Sequence, residues 1–226
     1  MSLPLPKEEL PETIRRFGAP AAPRPGRKRA ARGLVPVKGA ALAPPRLQLA
    51  HDPEEGVRTA AHGTLSGLPD ELLRPAVSAP LPGAILDGLL PYVRGRRALL
   101  EELAANRATP DATVARIAKQ CDVDTAERIA TDQARLLTYP EIIEALYKNR
   151  STRMSTVDRL VELAARNGVE LHGVATFAAH VEAIQGQLIV EETPEEELPS
   201  DRIFAEALEH DSDEDAIDTD RVDGTE

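Results

Sequence analysis

Residues 99–121, LLEELAANRATPDATVARIAKQC, are followed 43 positions later by a second copy, IIEALYKNRSTRMSTVDRLVELA, at residues 142–164. The two copies align without a gap, and eight of the 23 aligned positions are identical. A period in this range is typical of stacked helix pairs, because one pair cannot bury its apolar face alone. The repeat therefore predicts an all-α fold, an α-solenoid of helical repeats.

Apolar spacing and capping residues predict where the repeated helices begin and end. The first helix of the first copy is predicted to end near Asn106, and Thr109 to cap the second helix. That second helix has an apolar stripe at i, i+3, i+4 and i+7, formed by Val114, Ile117, Ala118 and Cys121. In the second copy, Thr138 and Glu141 form a predicted capping box, and the last repeated helix is predicted to stop at Gly168.

Other polar and proline residues predict the neighbouring boundaries. Asp52 is predicted as an N-cap with Pro53 at the first helical position. Pro69 and Pro75 are predicted to bracket a turn, residues 82–93 to form a helix, and Asp124 to open another. Pro44-Pro45 forbids a continuous helix over residues 37–50. A last amphipathic helix is predicted from the apolar spacing of Val174, Phe177, Ala178, Val181 and Ile184.

Charge and proline content divide the chain into three parts. Residues 1–46 contain nine of the 19 prolines and ten Lys/Arg against three acids, whereas residues 191–226 contain two Lys/Arg against 16 acids. We predict a flexible Pro/Ala-rich start (1–23), a helical-repeat domain (24–187) and a disordered acidic tail (188–226).

Composition restricts the class of protein. Aromatic residues make up 3% of the chain and tryptophan is absent, so we expect a core of Ala, Leu, Val and Ile between closely packed helices. One cysteine, Cys121, permits no intramolecular disulfide and is expected to be a buried thiol. No apolar run approaches 18 residues, so we expect no membrane association and a cytoplasmic location.

Catalytic patterns are nearly absent. Of the five histidines only His172 and His180 share a predicted helix face, and no carboxylate is spaced to complete a three-ligand metal site with them. Glycine-rich phosphate loops and a nucleophile elbow do not occur. We therefore expect no enzyme activity, no cofactor and no bound metal.

Four arginines occupy repeated positions. Arg107 and Arg150 follow the Asn turns, and Arg116 and Arg159 lie opposite the apolar stripe. One interpretation is a solvated face with local Glu/Arg pairs worth about 0.2–0.5 kcal/mol each. The other is a ladder of arginines that binds an acidic peptide or phosphate groups. Local pairing is favoured for Arg116 and Arg159, and both interpretations stay open for Arg107 and Arg150.

A basic cluster ends at Gly33 and comprises Arg24, Arg27, Lys28, Arg29 and Arg32. We predict a short surface helix with Gly33 at its C′ position, where last-turn cations suit the helix dipole. The alternative is an arm that binds phosphate groups.

The acidic tail contains one apolar group at helical spacing, formed by Ile203, Phe204, Ala207 and Leu208. Because these residues are isolated among acids, we predict a helix that docks in a groove of a partner or of this chain. The alternative is residual hydrophobicity in a solvated tail.

The sequences LAANRATPDATVARIA and ALYKNRSTRMSTVDRLVELA resemble the leucine-rich-repeat-variant branch of the helical repeats, and HDPEEGVRTAAHGTL resembles a HEAT-like repeat. In the variant branch an Asn-x-x-Thr-Pro turn precedes a helix ending in Leu-Ala; the second copy here lacks the proline after Thr152. The resemblance covers about residues 50–185 and implies an architecture rather than an activity. Some variant-repeat proteins carry an iron–sulfur cluster in a cysteine-rich segment, which a single cysteine excludes.

These observations predict a non-catalytic adapter that binds one protein on the repeat face and a second through the tail. The alternative is nucleic-acid binding by the basic cluster and an Arg-lined face. Against it, residues 47–190 have a net charge of −4 and the tail would repel phosphate. An enzyme, such as a cofactor lyase built on HEAT-like repeats, is the third possibility.

Overall fold

The computed structural model of the protein describes residue 3, residues 22–175 and residues 177–188, without the side chains of residues 180 and 184–188. This part of the chain is helical and contains no β-strand. Of these residues, those up to residue 184 belong to one compact unit and residues 185–188 to a second. The predicted docking helix of the tail lies outside the described residues.

Twelve α-helices occur in the described residues, with a 3-10 turn at Gly39–Leu42 between the first two. Their bounds are α1 Arg24–Ala31, α2 Ala43–Leu49, α3 Glu55–Ser66, α4 Asp70–Ser78, α5 Gly83–Val93, α6 Arg97–Ala105, α7 Asp111–Ala118, α8 Val123–Ile129, α9 Gln133–Thr138, α10 Glu141–Lys148, α11 Met154–Arg166 and α12 Phe177–Leu188. The two sequence copies correspond to α6–α7 and α10–α11.

The repeated asparagines make the same contact in both copies. Asn106, which follows α6, donates through Nδ2 to two carbonyl oxygens at the end of α4, at 2.7 and 2.8 Å. Asn149, which follows α10, donates in the same way to two carbonyls at and just beyond the end of α7, at 2.9 and 3.0 Å. Helix α6 packs on α4, and α10 packs on α7. Each repeated asparagine therefore satisfies carbonyls at the end of an earlier helix, which is two helices earlier for Asn106 and three helices earlier for Asn149.

Two arginines outside the aligned positions add a second recurring contact. Arg96 donates to the carbonyl of the last α3 residue at 2.8 Å and pairs with Asp70, the first residue of α4, at 3.2 Å. Arg135 donates to a carbonyl in the last turn of α6 at 3.0 Å and pairs with Asp111, the first residue of α7, at 3.0 Å. Both arginines join the end of one helix to the start of the next.

The core of the described residues consists almost entirely of Ala, Leu, Val and Ile, as predicted. Helix α10 illustrates the pattern, since Ile142, Ile143 and Leu146 are at most 1% exposed. Burying each of these side chains contributes about 1.5–3 kcal/mol. The apolar stripe of the repeat is therefore the inward face of each helix.

Four predicted N-caps are wrong, although a helix begins within three residues of each of them. Thr109 donates its hydroxyl to the Leu103 carbonyl at 2.7 Å, and Thr138 ends α9 and donates to the Ala134 carbonyl at 2.8 Å. Asp122 rather than Asp124 caps α8, because its Oδ1 accepts from the Thr125 amide at 2.8 Å. The Asp52 carboxylate accepts from the amide of Glu54, which is the N-cap residue of α3. Each of these polar side chains interacts with a different group from the one that local sequence spacing predicts.

Prolines begin or interrupt two helices that local sequence does not predict. The predicted turn between Pro69 and Pro75 is wrong, because Pro75 lies inside α4. A proline inside a helix costs about 3 kcal/mol, and the fully buried α4 side chains offset this cost: Leu73, Ala76 and Val77. Pro44-Pro45 does break the helical segment as predicted, but it does so in the first turn of α2, where a missing amide donor is tolerated.

Candidate partner-binding surface

Arg116 and Arg159 have equivalent partners within the fold. Arg116 on α7 pairs with Asp87 on α5, and the Thr113 hydroxyl donates to the same carboxylate. Arg159 on α11 lies 3.8 Å from Glu127 on α8, and the Thr156 hydroxyl donates to the same carboxylate at 2.5 Å. In both copies the repeated Thr-x-x-Arg motif therefore binds one carboxylate of an earlier helix. The alignment of the two copies does not identify Asp87 and Glu127, because both lie outside the aligned positions and one is an aspartate while the other is a glutamate.

Arg107 and Arg150, unlike Arg116 and Arg159, have no carboxylate partner in the described part of the chain. Both are exposed, and neither side chain has a hydrogen bond or an ion pair within the described residues. Each directly follows an asparagine whose side chain binds carbonyls at the end of an earlier helix, so the backbone that presents these two arginines is held in an equivalent way in both copies. Two of the four repeated arginines are thus engaged inside the protein and two are available.

A cavity of about 230 Å³ lies beside Arg107, between the end of α6 and the α8–α9 connection. Arg128 also lines this cavity, is exposed, and has no side-chain partner in the described part of the chain. Arg135, a third lining residue, is 11% exposed and is engaged by backbone carbonyls and Asp111. Two unpaired guanidinium groups therefore border one cavity, which favours an anionic ligand. The sequence gives no signal for Arg128, since it lies outside the repeat alignment.

The basic cluster forms α1 as predicted, and Gly33 has a φ of +78°. The amides of Gly33 and Leu34 donate to the carbonyls of Ala30 and Arg29 at 3.1 and 2.9 Å, which is the Schellman geometry of a glycine C′ cap. This confirms the predicted helix end.

Three cations of the basic cluster have acidic partners near the start of α3. Arg24 donates to both Glu54 oxygens at 2.8 and 2.9 Å, and Lys28 lies 3.4 Å from the same carboxylate. The hydrogen bond from Arg24 is the main reason that the pKa of Glu54 is lowered. Arg27 pairs with the buried carboxylate of Asp52. Of the cluster, Arg29 and Arg32 remain exposed without a side-chain partner in the described chain.

Titratable groups give no sign of a catalytic centre in the described residues. Cys121 is buried, which raises the pKa of its thiol to about 11, so the thiol is protonated at neutral pH and is not an activated nucleophile. The described residues contain no group of three or more His, Cys, Asp or Glu side chains placed to hold a metal ion. Among the described helices, none is both long enough and apolar enough to cross a membrane.

The remaining site prediction, the apolar group at Ile203, Phe204, Ala207 and Leu208, lies outside the described residues and stays a prediction. In comparisons with known proteins, no family model, no curated protein sequence and no solved structure matches this chain.

Proposed function

We propose that this protein is a non-catalytic adapter, built as an α-solenoid of helical repeats, that binds an acidic segment of a partner protein. One observation carries the proposal. Repeat-equivalent Arg116 and Arg159 have internal carboxylate partners, whereas repeat-equivalent Arg107 and Arg150 are exposed and have none among the described residues. Repeated, unpaired guanidinium groups suit a ligand that carries several carboxylates.

The solenoid part of the proposal rests on recurrence. Equivalent asparagines bind helix-end carbonyls 27–31 residues earlier in the chain. Equivalent threonines and arginines bind carboxylates 26–32 residues earlier. Equivalent contacts from each sequence copy to helices that come shortly before it are typical of a repeat protein, in which each unit contacts its neighbours.

The test uses the full chain carrying Phe204→Ala and Leu208→Ala, so that its own tail does not compete. The probe is a fluorescein-labelled peptide copying residues 201–212, DRIFAEALEHDS, which combines the apolar group with acidic flanks. We expect fluorescence anisotropy to report saturable binding. Adding Arg107→Gln and Arg150→Gln should weaken that binding about tenfold, since two charge contacts together contribute about 1–2 kcal/mol.

The matched control is Arg116→Gln with Arg159→Gln, which removes the same net charge at the other two repeat positions. It should change the affinity less than about twofold. Equal losses in both pairs would mean that only net charge matters and would refute the assigned surface. A 20-base-pair duplex is the second probe, and tighter binding of the duplex than of the peptide would favour the nucleic-acid alternative.

A further inference from the structure

A groove of about 680 Å³ lies over α5 and is separate from the cavity beside Arg107. Its walls include Leu47 of α2, His62 of α3, and Gly88 and Tyr92 of α5. Tyr92 Oη and His62 Nδ1 share a hydrogen bond of 2.6 Å, and their rings lie 6.0 Å apart. The groove therefore has an apolar floor and an aromatic wall that is held in place by hydrogen bonding.

One side chain already occupies part of this groove. Leu3 is half-buried, packs against the core and lines the groove at Gly88. A Cβ atom at position 88 would overlap Leu3 Cδ1, while the nearest atom of Leu47 would lie 3.5 Å away in ordinary contact. The absence of a side chain at Gly88 is thus what makes room for Leu3.

The sequence around Leu3 has the chemistry that such a groove accepts. Residues 3–6 are Leu-Pro-Leu-Pro, and a residue before proline prefers an extended conformation. Extended proline-containing segments bind in aromatic-lined grooves at a low entropic cost, because they are already ordered. Arg94 lines the same groove, is exposed and has no side-chain partner in the described chain. Its charge is opposite to that of Glu8 and Glu9, which follow this segment in the sequence after Lys7.

We propose that the groove over Gly88 is a docking site for an extended leucine-proline segment, and that residues 3–6 of the same chain are its occupant. A partner segment of the same chemistry must displace these residues to bind. Neither Arg107 nor Arg150 lines this groove, so the proposal does not depend on the arginine surface proposed above.

The test measures the mobility of a nitroxide spin label next to the docked segment in the full chain. Ser2→Cys supplies the attachment point, and the native Cys121 is buried and does not compete for the label. In the parent protein we expect an electron paramagnetic resonance spectrum dominated by an immobilised component. Gly88→Ala should shift the spectrum towards the mobile component, because the added Cβ would overlap Leu3 Cδ1 and the Leu3 side chain must move.

Gly63→Ala is the matched control, since it makes the same change inside α3 where an added Cβ meets no atom within 4 Å. Its spectrum should equal that of the parent. Leu3→Ala should mobilise the label without touching α5, and adding Gly88→Ala to that variant should have no further effect. This pair keeps the test valid if Gly88→Ala alone perturbs folding.

Three outcomes would overturn the proposal. The first is a label that is mobile in the parent protein. The second is a label that stays immobilised in both Gly88→Ala and Leu3→Ala. The third is an immobilised fraction that falls on hundredfold dilution, which would make the occupant a segment from a second copy. Release of the label by excess peptide SLPLPKEE, with no dependence on protein concentration, would support docking within one chain.

Discussion

Replacing Asn149 by alanine tests whether the repeated asparagines hold successive helix pairs together. Asn149 is 8% exposed, and its Nδ2 donates to the carbonyls of Ala118 and Cys121 at 2.9 and 3.0 Å. Its Oδ1 accepts from the Ser151 amide at 2.9 Å. Alanine removes these three bonds together with a longer contact from Nδ2 to Cys121 Sγ at 3.5 Å. It leaves two carbonyls of buried residues without their amide partner.

The expected cost follows from those three bonds. A hydrogen bond contributes about 0.5–1.5 kcal/mol net, and a buried group left without a partner costs about 1–3 kcal/mol. We therefore expect Asn149→Ala to lower the free energy of unfolding by about 2–4 kcal/mol. Asn149→Asp keeps the Oδ1 acceptor but puts a carboxylate against two carbonyls, so it should cost at least as much.

The assay is urea unfolding followed by circular dichroism at 222 nm. With an m-value of about 2 kcal/mol per M, Asn149→Ala should lower the midpoint by about 1–2 M. Asn167→Ala is the control, because Asn167 is exposed and donates only to the Leu163 carbonyl of its own helix, at 2.8 Å; its cost should stay below about 0.5 kcal/mol. Equal midpoints for Asn149→Ala and Asn167→Ala would refute the role assigned to the repeated asparagine.

Three further predictions follow from other elements. Gly168 has a φ of +66° with open space around it. Gly168→Ala should therefore lower the free energy of unfolding, measured in urea, by about 1–2 kcal/mol from backbone strain alone. Gly63→Ala in α3 should raise it by about 0.5–1 kcal/mol. Burial raises the pKa of Cys121 to about 11, so the thiol of the unfolded chain loses its proton at a lower pH than the thiol of the folded protein. The free energy of unfolding should therefore fall between about pH 9 and pH 11. Cys121→Ala should remove that part of the pH dependence. Phe204→Ala with Leu208→Ala should weaken the binding of a protein partner through the tail at least about tenfold, or mobilise the tail, without changing helical content. If neither that binding nor the mobility of the tail changes, the segment is only solvated tail.

Local periodicity was sufficient to predict much of the helical pattern. The first repeated helix was predicted to end near Asn106, and α6 ends at Ala105 with Asn106 as its C-cap. Gly33 and Gly168 were predicted as helix stops, and both have positive φ. These features are local, since apolar spacing and the conformational freedom of glycine act within one or two turns.

The binding surfaces were predicted only in part. Arg107 and Arg150 were identified from the repeat, but their availability depends on where carboxylates lie in space. Arg128 and the Leu3 groove carried no sequence signal, because Arg128 lies outside the repeat and the groove is assembled from α2, α3 and α5. Which side chains of these three helices meet depends on how the helices pack, and no local sequence spacing predicts it.

The sequence by itself determined the all-helical class, the apolar faces and the positions of the repeated asparagines and arginines. Only the tertiary structure decided which partner each polar group takes, as Thr109, Thr138 and Asp124 show. Local capping choices differ by about 1 kcal/mol, which is comparable with a single hydrogen bond to a neighbouring helix. Burial against the preceding helix pair is worth several times more, so packing settles the choice that local sequence leaves open.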